Sequence, residues 1–120
     1  MASILIVDDS TTMRQMVNFT LANAGHQVVE AADGNEAVET AKSLHFDLVI
    51  SDVNMPGMNG IELVRVLRAL PDYKFIPMLM LTTESGQEIK QRGREAGATG
   101  WIVKPFSPEV LLATLKKVLD

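Results

Sequence analysis

The sequence predicts an α/β fold in which five βα units build one parallel sheet. Short apolar runs alternate along the chain with segments of helical period, which is the pattern of repeated βα units. The first, third and fourth runs are almost wholly apolar, as expected of strands covered on both faces. With 120 residues, 47% of them hydrophobic, the chain suits one core. We therefore expect a single domain that spans residues 1–120.

Five short runs are the strand candidates, and helical stripes lie between them. The strands are predicted at residues 3–7, 27–30, 47–50, 77–81 and 100–103. Four helices are predicted from sheet-facing stripes: Met13, Met16, Val17, Thr20, Leu21 and Ala24; Val38, Ala41 and Leu44; Leu63, Val64, Leu67 and Leu70; Leu111, Leu112, Leu115, Val118 and Leu119. Gly25 follows the first stripe as a candidate C-cap.

The remaining helix, the fourth in chain order, is predicted over residues 85–96 and differs from the others. Gly86 and Gly93 each lower its helix propensity by about 1 kcal/mol relative to alanine. Only Ile89 and Ala96 supply apolar anchors to the sheet. We therefore expect this helix to be the most loosely held of the five.

Charge and composition disfavour several classes of protein. The net charge is −4 and no run of Lys or Arg occurs, so binding to nucleic acid or to an anionic membrane is not expected. The chain has no cysteine, no signal segment and no apolar stretch near the roughly 20 residues that span a bilayer. These features are typical of a cytoplasmic protein, and we expect a monomer.

Polar and charged residues occur at the predicted strand ends, where an open parallel sheet forms its functional crevice. Asp8 and Asp9 follow the first strand, Asp52 follows the third, Thr82 ends the fourth, and Lys104 follows the fifth. Each has a plainer interpretation on its own, since an aspartate after a strand is often a turn former or a helix N-cap. For the hydroxyl residues at positions 10–12, helix capping is the favoured interpretation.

The acidic residues converge if the first strand is central and the third to fifth strands follow on one side. Two carboxylates about 4 Å apart repel by about 4 kcal/mol at an effective dielectric constant of about 20. Lys104 supplies only one positive charge against Asp8, Asp9 and Asp52. Because oxygen ligands without histidine or cysteine select a hard divalent cation, a Mg²⁺ site is the expected solution.

A flavin phosphate is the main alternative ligand for the loop after the first strand. The hydroxyl groups at residues 10–12 suit a phosphate, but Asp8 and Asp9 would repel it. The glycine-rich motifs of nucleotide-binding loops are also absent from the sequence. A nucleotide cofactor is therefore not expected.

Four motifs resemble the receiver domains of two-component response regulators, in order and in approximate spacing. They are residues 4–10 (ILIVDDS), 52–60 (DVNMPGMNG), 81–83 (LTT) and 104–106 (KPF). The resemblance covers essentially the whole chain and is strongest toward the single-domain regulators of chemotaxis. It implies a flavodoxin-like (βα)5 fold, doubly wound, with a five-stranded parallel sheet in the order 2-1-3-4-5.

The resemblance also implies which residues carry the chemistry. Asp52 is the implied phosphoacceptor. The implied Mg²⁺ ligands are Asp9, the Asp52 carboxylate and the backbone carbonyl of Asn54, while Asp8 acts through a bound water. Lys104 neutralises charge during the transfer of the phosphoryl group.

Two residues are implied to read and relay the phosphorylated state. Thr82 would hydrogen-bond the new phosphoryl oxygens, and Trp101 occupies the position of the family's switch aromatic. Trp101 as a simply packed side chain is an equally open interpretation. The bond between Lys104 and Pro105 is left open between cis and trans. Water near Asn54 and Glu84 would hydrolyse the acyl phosphate and make the signal self-limiting.

Three functions remain open for such a chain. The first is a phosphorylation-dependent binding protein, a signalling receiver and not an enzyme, with a histidine kinase as donor, a flagellar motor switch protein as target and a phosphatase as a further partner. The second is a phosphorelay intermediate or phosphate sink. The third is an aspartyl-phosphate hydrolase, for which the sequence encodes no cap over the pocket.

Overall fold

The computed structural model describes residues 1–120 as five strands that alternate with five helices. The elements are β1 (Ser3–Val7), α1 (Thr11–Asn23), β2 (Gln27–Ala31), α2 (Gly34–Ser43), β3 (Leu48–Ser51), α3 (Gly60–Arg68), β4 (Met78–Thr82), α4 (Gln87–Ala96), β5 (Gly100–Val103) and α5 (Pro108–Leu119), with a 3-10 turn at Pro71–Tyr73. No helix combines the length and apolar character needed to cross a membrane.

The five strands form one parallel sheet in the order β2-β1-β3-β4-β5. The expected α/β fold and strand order are therefore confirmed. Each predicted strand agrees with the observed one to within one residue at either end. The order places β1 and β3 side by side at the centre, which is the condition under which the acidic residues were expected to converge.

Side chains of each strand alternate between two cores, one on each face of the sheet. In β1, Leu5 and Val7 enter the larger core of 17 buried residues, which α2, α3 and α4 cover. Ile4 and Ile6 enter the smaller core of 12 residues, which α1 and α5 cover. Burial on both faces explains why the β1, β3 and β4 segments are almost wholly apolar.

Side-chain caps fix where four of the five helices begin. The oxygens of Ser10, Asp33, Asn59 and Ser107 accept hydrogen bonds from backbone N–H groups in the first turns of α1, α2, α3 and α5. The favoured interpretation of Ser10 as a capping residue is therefore confirmed. The caps at Ser10 and Asn59 fix the starts of the helices that follow the loops after β1 and β3.

The start of α4 differs from the prediction. The helix begins at Gln87, two residues later than expected, and Gly86 is its N-cap without a side-chain hydrogen bond. Glycine is tolerated at an N-cap, so only Gly93 lies inside the helix and lowers its propensity. Of the two predicted anchors, Ala96 is buried and Ile89 is partly buried.

Two residues assigned to the sheet-facing stripe of α1 are misplaced. Ala24 is exposed and forms the C-cap that follows the helix. Met16 is 47% exposed, whereas Val17 and Leu21 are buried and Met13 packs on the core. Met13, Val17 and Leu21 are four residues apart and share one face, and Met16 precedes that line by about 100° of helical rotation. Hydrophobic character alone did not place the methionine.

His26 lies at the amino-terminal end of the sheet, opposite the acidic residues, as expected. Its Nδ1 accepts a hydrogen bond from the backbone N–H of Ala2 at 3.0 Å. Burial lowers the pKa of His26, and the positive charge of the amino terminus acts in the same direction. Both effects on the pKa favour the neutral form of the His26 ring.

Candidate functional site

The carboxyl edge of the sheet brings three acidic residues together. Val7 of β1 lies opposite Ser51 of β3, so the residues that follow each strand emerge side by side. Carboxylate oxygens of Asp8, Asp9 and Asp52 all lie within 4.8 Å of one another. We call these three residues the acidic cluster.

Lys104 reaches the acidic cluster from the end of β5. Its Nζ lies 3.0 Å from Asp8 Oδ2 and 3.4 Å from Asp52 Oδ2, and its side chain is only 12% exposed. The backbone N–H of Lys104 donates to Thr82 O at 2.8 Å, which continues the β4–β5 ladder up to the site. The bond to Pro105 is cis, which answers the question that the sequence left open.

Burial differs sharply across the acidic cluster. Asp8 is buried, and both of its oxygens are engaged, Oδ1 by the N–H of Ser10 at 2.9 Å and Oδ2 by Lys104. Asp52 is half-buried and Asp9 is exposed. One ammonium group thus faces three carboxylates, so the edge keeps an excess of negative charge that favours a cation.

The loop between β3 and α3 holds Asp52 from behind. The backbone N–H of Asn54 donates to Asp52 Oδ1 at 3.4 Å, so Asn54 lies beside the acidic cluster. A Cβ atom on Gly60 would lie 2.1 Å from Asp52 O, a distance that excludes any side chain. Sequence reasoning missed this role of Gly60, for which its place at the end of the 52–60 motif was the available signal.

Thr82 at the end of β4 and Trp101 of β5 are both connected to the loop after β4. Thr82 is fully buried, and its Oγ1 accepts a hydrogen bond from the N–H of Glu84 at 3.3 Å. The indole Nε1 of Trp101 donates to Glu84 O at 2.7 Å. The indole also packs on α4, where a Cβ on Gly93 would lie 2.7 Å from its Cζ3.

Glu84 connects these residues to the loop after β3. Its Oε2 accepts a hydrogen bond from Asn54 Nδ2 at 3.2 Å, while its backbone contacts Thr82 and Trp101. Sequence reasoning placed Glu84 near a hydrolytic water and missed its contacts with both switch candidates. The contact with Trp101 is made by the backbone carbonyl of Glu84, and sequence patterns carry no information about such a contact.

Comparison with known proteins identifies the family of this chain. The family model for the response regulator receiver domain matches residues 4–116. The chain belongs to that family. The receiver is 44% identical over 118 residues to a chemotaxis protein CheY homolog of Campylobacter jejuni, a match that covers 97% of this chain and 91% of the relative.

Solved structures of other proteins are also similar to this receiver in both sequence and fold. The chemotaxis protein CheY4 of Vibrio cholerae superposes with a TM-score of 0.96 at 57% identity, over 98% of both chains. The receiver domain of sensor histidine kinase PA1611 from Pseudomonas aeruginosa superposes with a TM-score of 0.91 at 26% identity, over 98% of this chain and 97% of that domain. That structure holds a magnesium ion coordinated in its active-site cleft.

The acidic cluster of this receiver fits a hard divalent cation. All of its donor atoms are carboxylate oxygens, and they are close enough together for one ion to contact more than one of them. Mg²⁺ binds through a few carboxylates together with waters and phosphate oxygens. The single ammonium group of Lys104 offsets only part of the negative charge of the three carboxylates, so a bound cation would offset more of it.

Proposed function

We propose that this receiver accepts a phosphoryl group on Asp52 from a histidine kinase and signals by phosphorylation-dependent binding to another protein. The observation that carries the proposal is the position of Asp52 between an ammonium group and two further carboxylates in a receiver fold. Lys104 contacts Asp52 at 3.4 Å, and the Asp52 side chain keeps 12% of its surface exposed to solvent.

In the transfer, a carboxylate oxygen of Asp52 attacks phosphorus as the bond between phosphorus and the donor breaks. The donor nitrogen of a phosphohistidine leaves with its electron pair and takes a proton from solvent, and the product is an acyl phosphate. Lys104 offsets the charge that accumulates on the phosphoryl oxygens. A Mg²⁺ ion held by the acidic cluster would supply further positive charge at the site.

The metal would be held by the residues that the family resemblance implies. Asp9, the carboxylate of Asp52 and the backbone carbonyl of Asn54 would be its ligands, and Asp8 would contribute through a water. The engagement of both Asp8 oxygens within the protein supports this indirect role. The exposure of Asp9 leaves it free to bind an ion from solvent.

Switching would involve Thr82 and Trp101. Thr82 is buried, and its Oγ1 accepts a hydrogen bond from the Glu84 N–H while its O–H remains able to donate. A movement of this hydroxyl toward a phosphoryl group on Asp52 would therefore displace the loop after β4. Because the indole of Trp101 donates a hydrogen bond to the carbonyl of the same Glu84, that displacement would also shift the indole and the helix α4 against which it packs. Asn54 and Glu84 would also position the water that hydrolyses the acyl phosphate.

The similarity to chemotaxis proteins favours a flagellar motor switch protein as the target, with a phosphatase as a further partner and a cytoplasmic location. A second candidate function is that of a phosphorelay intermediate or phosphate sink. The likeness to the receiver domain of a sensor histidine kinase favours it. Pull-down with the protein loaded with beryllium fluoride, a phosphoryl mimic, would separate the two functions. Capture of a motor component would support the first, and capture of a histidine phosphotransfer protein would support the second.

Labelling with radioactive acetyl phosphate and Mg²⁺ tests the acceptor. The wild type and Asp72→Asn, which alters an exposed aspartate in the 3-10 turn, should both become labelled. Asp52→Asn should stay unlabelled, because an amide oxygen is a poor nucleophile. Labelling of Asp52→Asn at the wild-type level would show that another residue is the acceptor.

A further inference from the structure

Arg14 of α1 lies beneath the loop that carries two of the acidic residues. Its Nη1 donates to the backbone carbonyl oxygen of Asp8 at 2.6 Å. That carbonyl belongs to the peptide bond that joins Asp8 to Asp9. The arginine side chain is only 14% exposed, so it is part of the support of the loop and not a surface charge.

The guanidinium group is itself held on its other sides. Its Nε donates to Glu30 Oε1 at 3.1 Å, and its Nη2 donates to Thr11 Oγ1 at 3.3 Å. The second oxygen of Glu30 accepts from Asn18 Nδ2 at 2.8 Å. The fork is therefore fixed between β2, α1 and the loop, and its direction toward the Asp8 carbonyl is determined by the fold.

Holding this carbonyl restricts the position of the Asp9 backbone relative to Asp8. A peptide unit is planar, so the direction of the Asp8 carbonyl determines the direction of the Asp9 N–H and the position of the Asp9 Cα, from which its carboxylate projects. The N–H of Asp8 is fixed as well, by Ala31 O at 3.2 Å. Because Glu30 pairs with Arg14, the guanidinium charge is offset locally, and its contribution to the site is orientation more than attraction.

We propose that Arg14 is a positioning residue for the divalent cation of the acidic cluster. The inference rests on the proposed function, because it concerns the same Mg²⁺ site. Lysine retains the charge but has no planar fork, so it cannot hold Glu30 and the Asp8 carbonyl together. Loss of a supporting hydrogen bond behind a metal ligand lowers metal affinity by about tenfold to a hundredfold, and Arg14→Lys should weaken Mg²⁺ binding by about tenfold.

Arg68 provides a matched control at the opposite end of the sheet. It is also a partly buried arginine whose fork donates to backbone carbonyls, those of Gly97 and Ile76 at 2.7 Å and of Tyr73 at 2.9 Å. Arg68→Lys should lower the thermal midpoint of unfolding and leave Mg²⁺ affinity unchanged. A general loosening of the fold is thereby separated from a specific loss at the site.

The experiment is a calorimetric titration of the full chain with MgCl₂, for the wild type and both variants. Arg14→Lys should show the weakened Kd, and at saturating Mg²⁺ its labelling by acetyl phosphate should return to the wild-type rate, because Asp52, Thr82 and Lys104 are intact. A purely structural role would not produce that split. A folded Arg14→Lys with wild-type Mg²⁺ affinity overturns the inference and leaves the proposed function standing.

Two further results of the titration also test the inference. If Arg14→Lys does not fold by circular dichroism, Glu30→Ala takes its place, since it releases the guanidinium from β2 and should also weaken Mg²⁺ binding; unchanged affinity in Glu30→Ala then overturns the inference. A wild type that binds no Mg²⁺ contradicts the proposed function and this inference together.

Discussion

The ring of His26 accepts a hydrogen bond at Nδ1, which only an unprotonated nitrogen can do. Its folded pKa is lowered from the ordinary value near 6.5, mainly by burial. The folded state therefore binds this proton less readily than the unfolded state. The contribution of His26 to stability is present above about pH 6.5 and is lost as the pH falls through the lowered pKa.

The variant His26→Asn tests this contribution, because the asparagine side-chain oxygen can accept the bond without titrating. Its thermal midpoint should fall less than that of the wild type between about pH 7 and pH 5. His45→Asn is the control for replacing an imidazole ring by an amide, because the side chain of His45 is mostly exposed. Parallel pH curves for the wild type and His26→Asn would exclude a role of His26.

Individual residues also show how much of the site the sequence could predict. Asp8, Asp9, Asp52 and Lys104 were found because each follows an apolar run, and strand ends meet at one edge of a parallel sheet. Arg14 could not be found in this way. A single arginine near the start of an amphipathic helix is ordinarily a solvated residue, and its partner Glu30 is 16 positions away.

At the scale of elements, α4 and β5 meet through one glycine and one tryptophan. By helix propensity alone, Gly93→Ala would stabilise α4 by about 1 kcal/mol. Its new Cβ would lie 2.7 Å from Trp101 Cζ3, so the indole must move. We expect the thermal midpoint to fall, and the Trp101 emission to shift to the red as the bond to Glu84 O is lost.

A glycine at the start of the same helix is the control for that substitution. A Cβ on Gly86 has no atom within 4 Å, so Gly86→Ala should leave the emission unchanged. A higher thermal midpoint with unaltered emission in Gly93→Ala would show that the indole does not depend on the missing side chain.

The contact between α4 and β5 marks the limit of sequence reasoning about elements. The looseness of α4 was inferred from its glycines, and Trp101 was left open between a switching and a simply packed side chain. In the structure, Gly93 provides the space in which Trp101 packs. Propensity treats such a glycine only as a weak point of its own helix, since the partner that needs the space lies on a neighbouring strand.

At the scale of the molecule, Mg²⁺ should stabilise the fold by mass action. A ligand that binds only the folded state adds about 2.7 kcal/mol at 100 times its Kd. MgCl₂ should therefore raise the thermal midpoint of the wild type and of Asp72→Asn, and Asp9→Ala should lose most of the rise. KCl of equal ionic strength controls for screening. Equal midpoints of the wild type in the two salts would contradict a metal site.

The fold as a whole was more predictable than its details. Alternating apolar runs and helical stripes predicted all five βα units, because each element must bury one face against the sheet. The strand order needed the family resemblance, since periodicity within a segment carries no information about its neighbours. Met16 was misplaced for a related reason. The periodic pattern does not decide which of two adjacent apolar residues, Met16 or Val17, faces the sheet.

The pairing of Lys104 with Asp8 joins residues 96 positions apart, which has a consequence during protein synthesis. A ribosome adds about 5–20 residues per second, so the carboxylates after β1 are translated roughly 5 to 20 s before their ammonium partner. Until β5 docks, the acidic edge lacks the ammonium group that pairs with Asp8 and Asp52. Under the proposed function, a nascent chain would therefore be unable to accept a phosphoryl group, and only a receiver with its last strand in place would be phosphorylated.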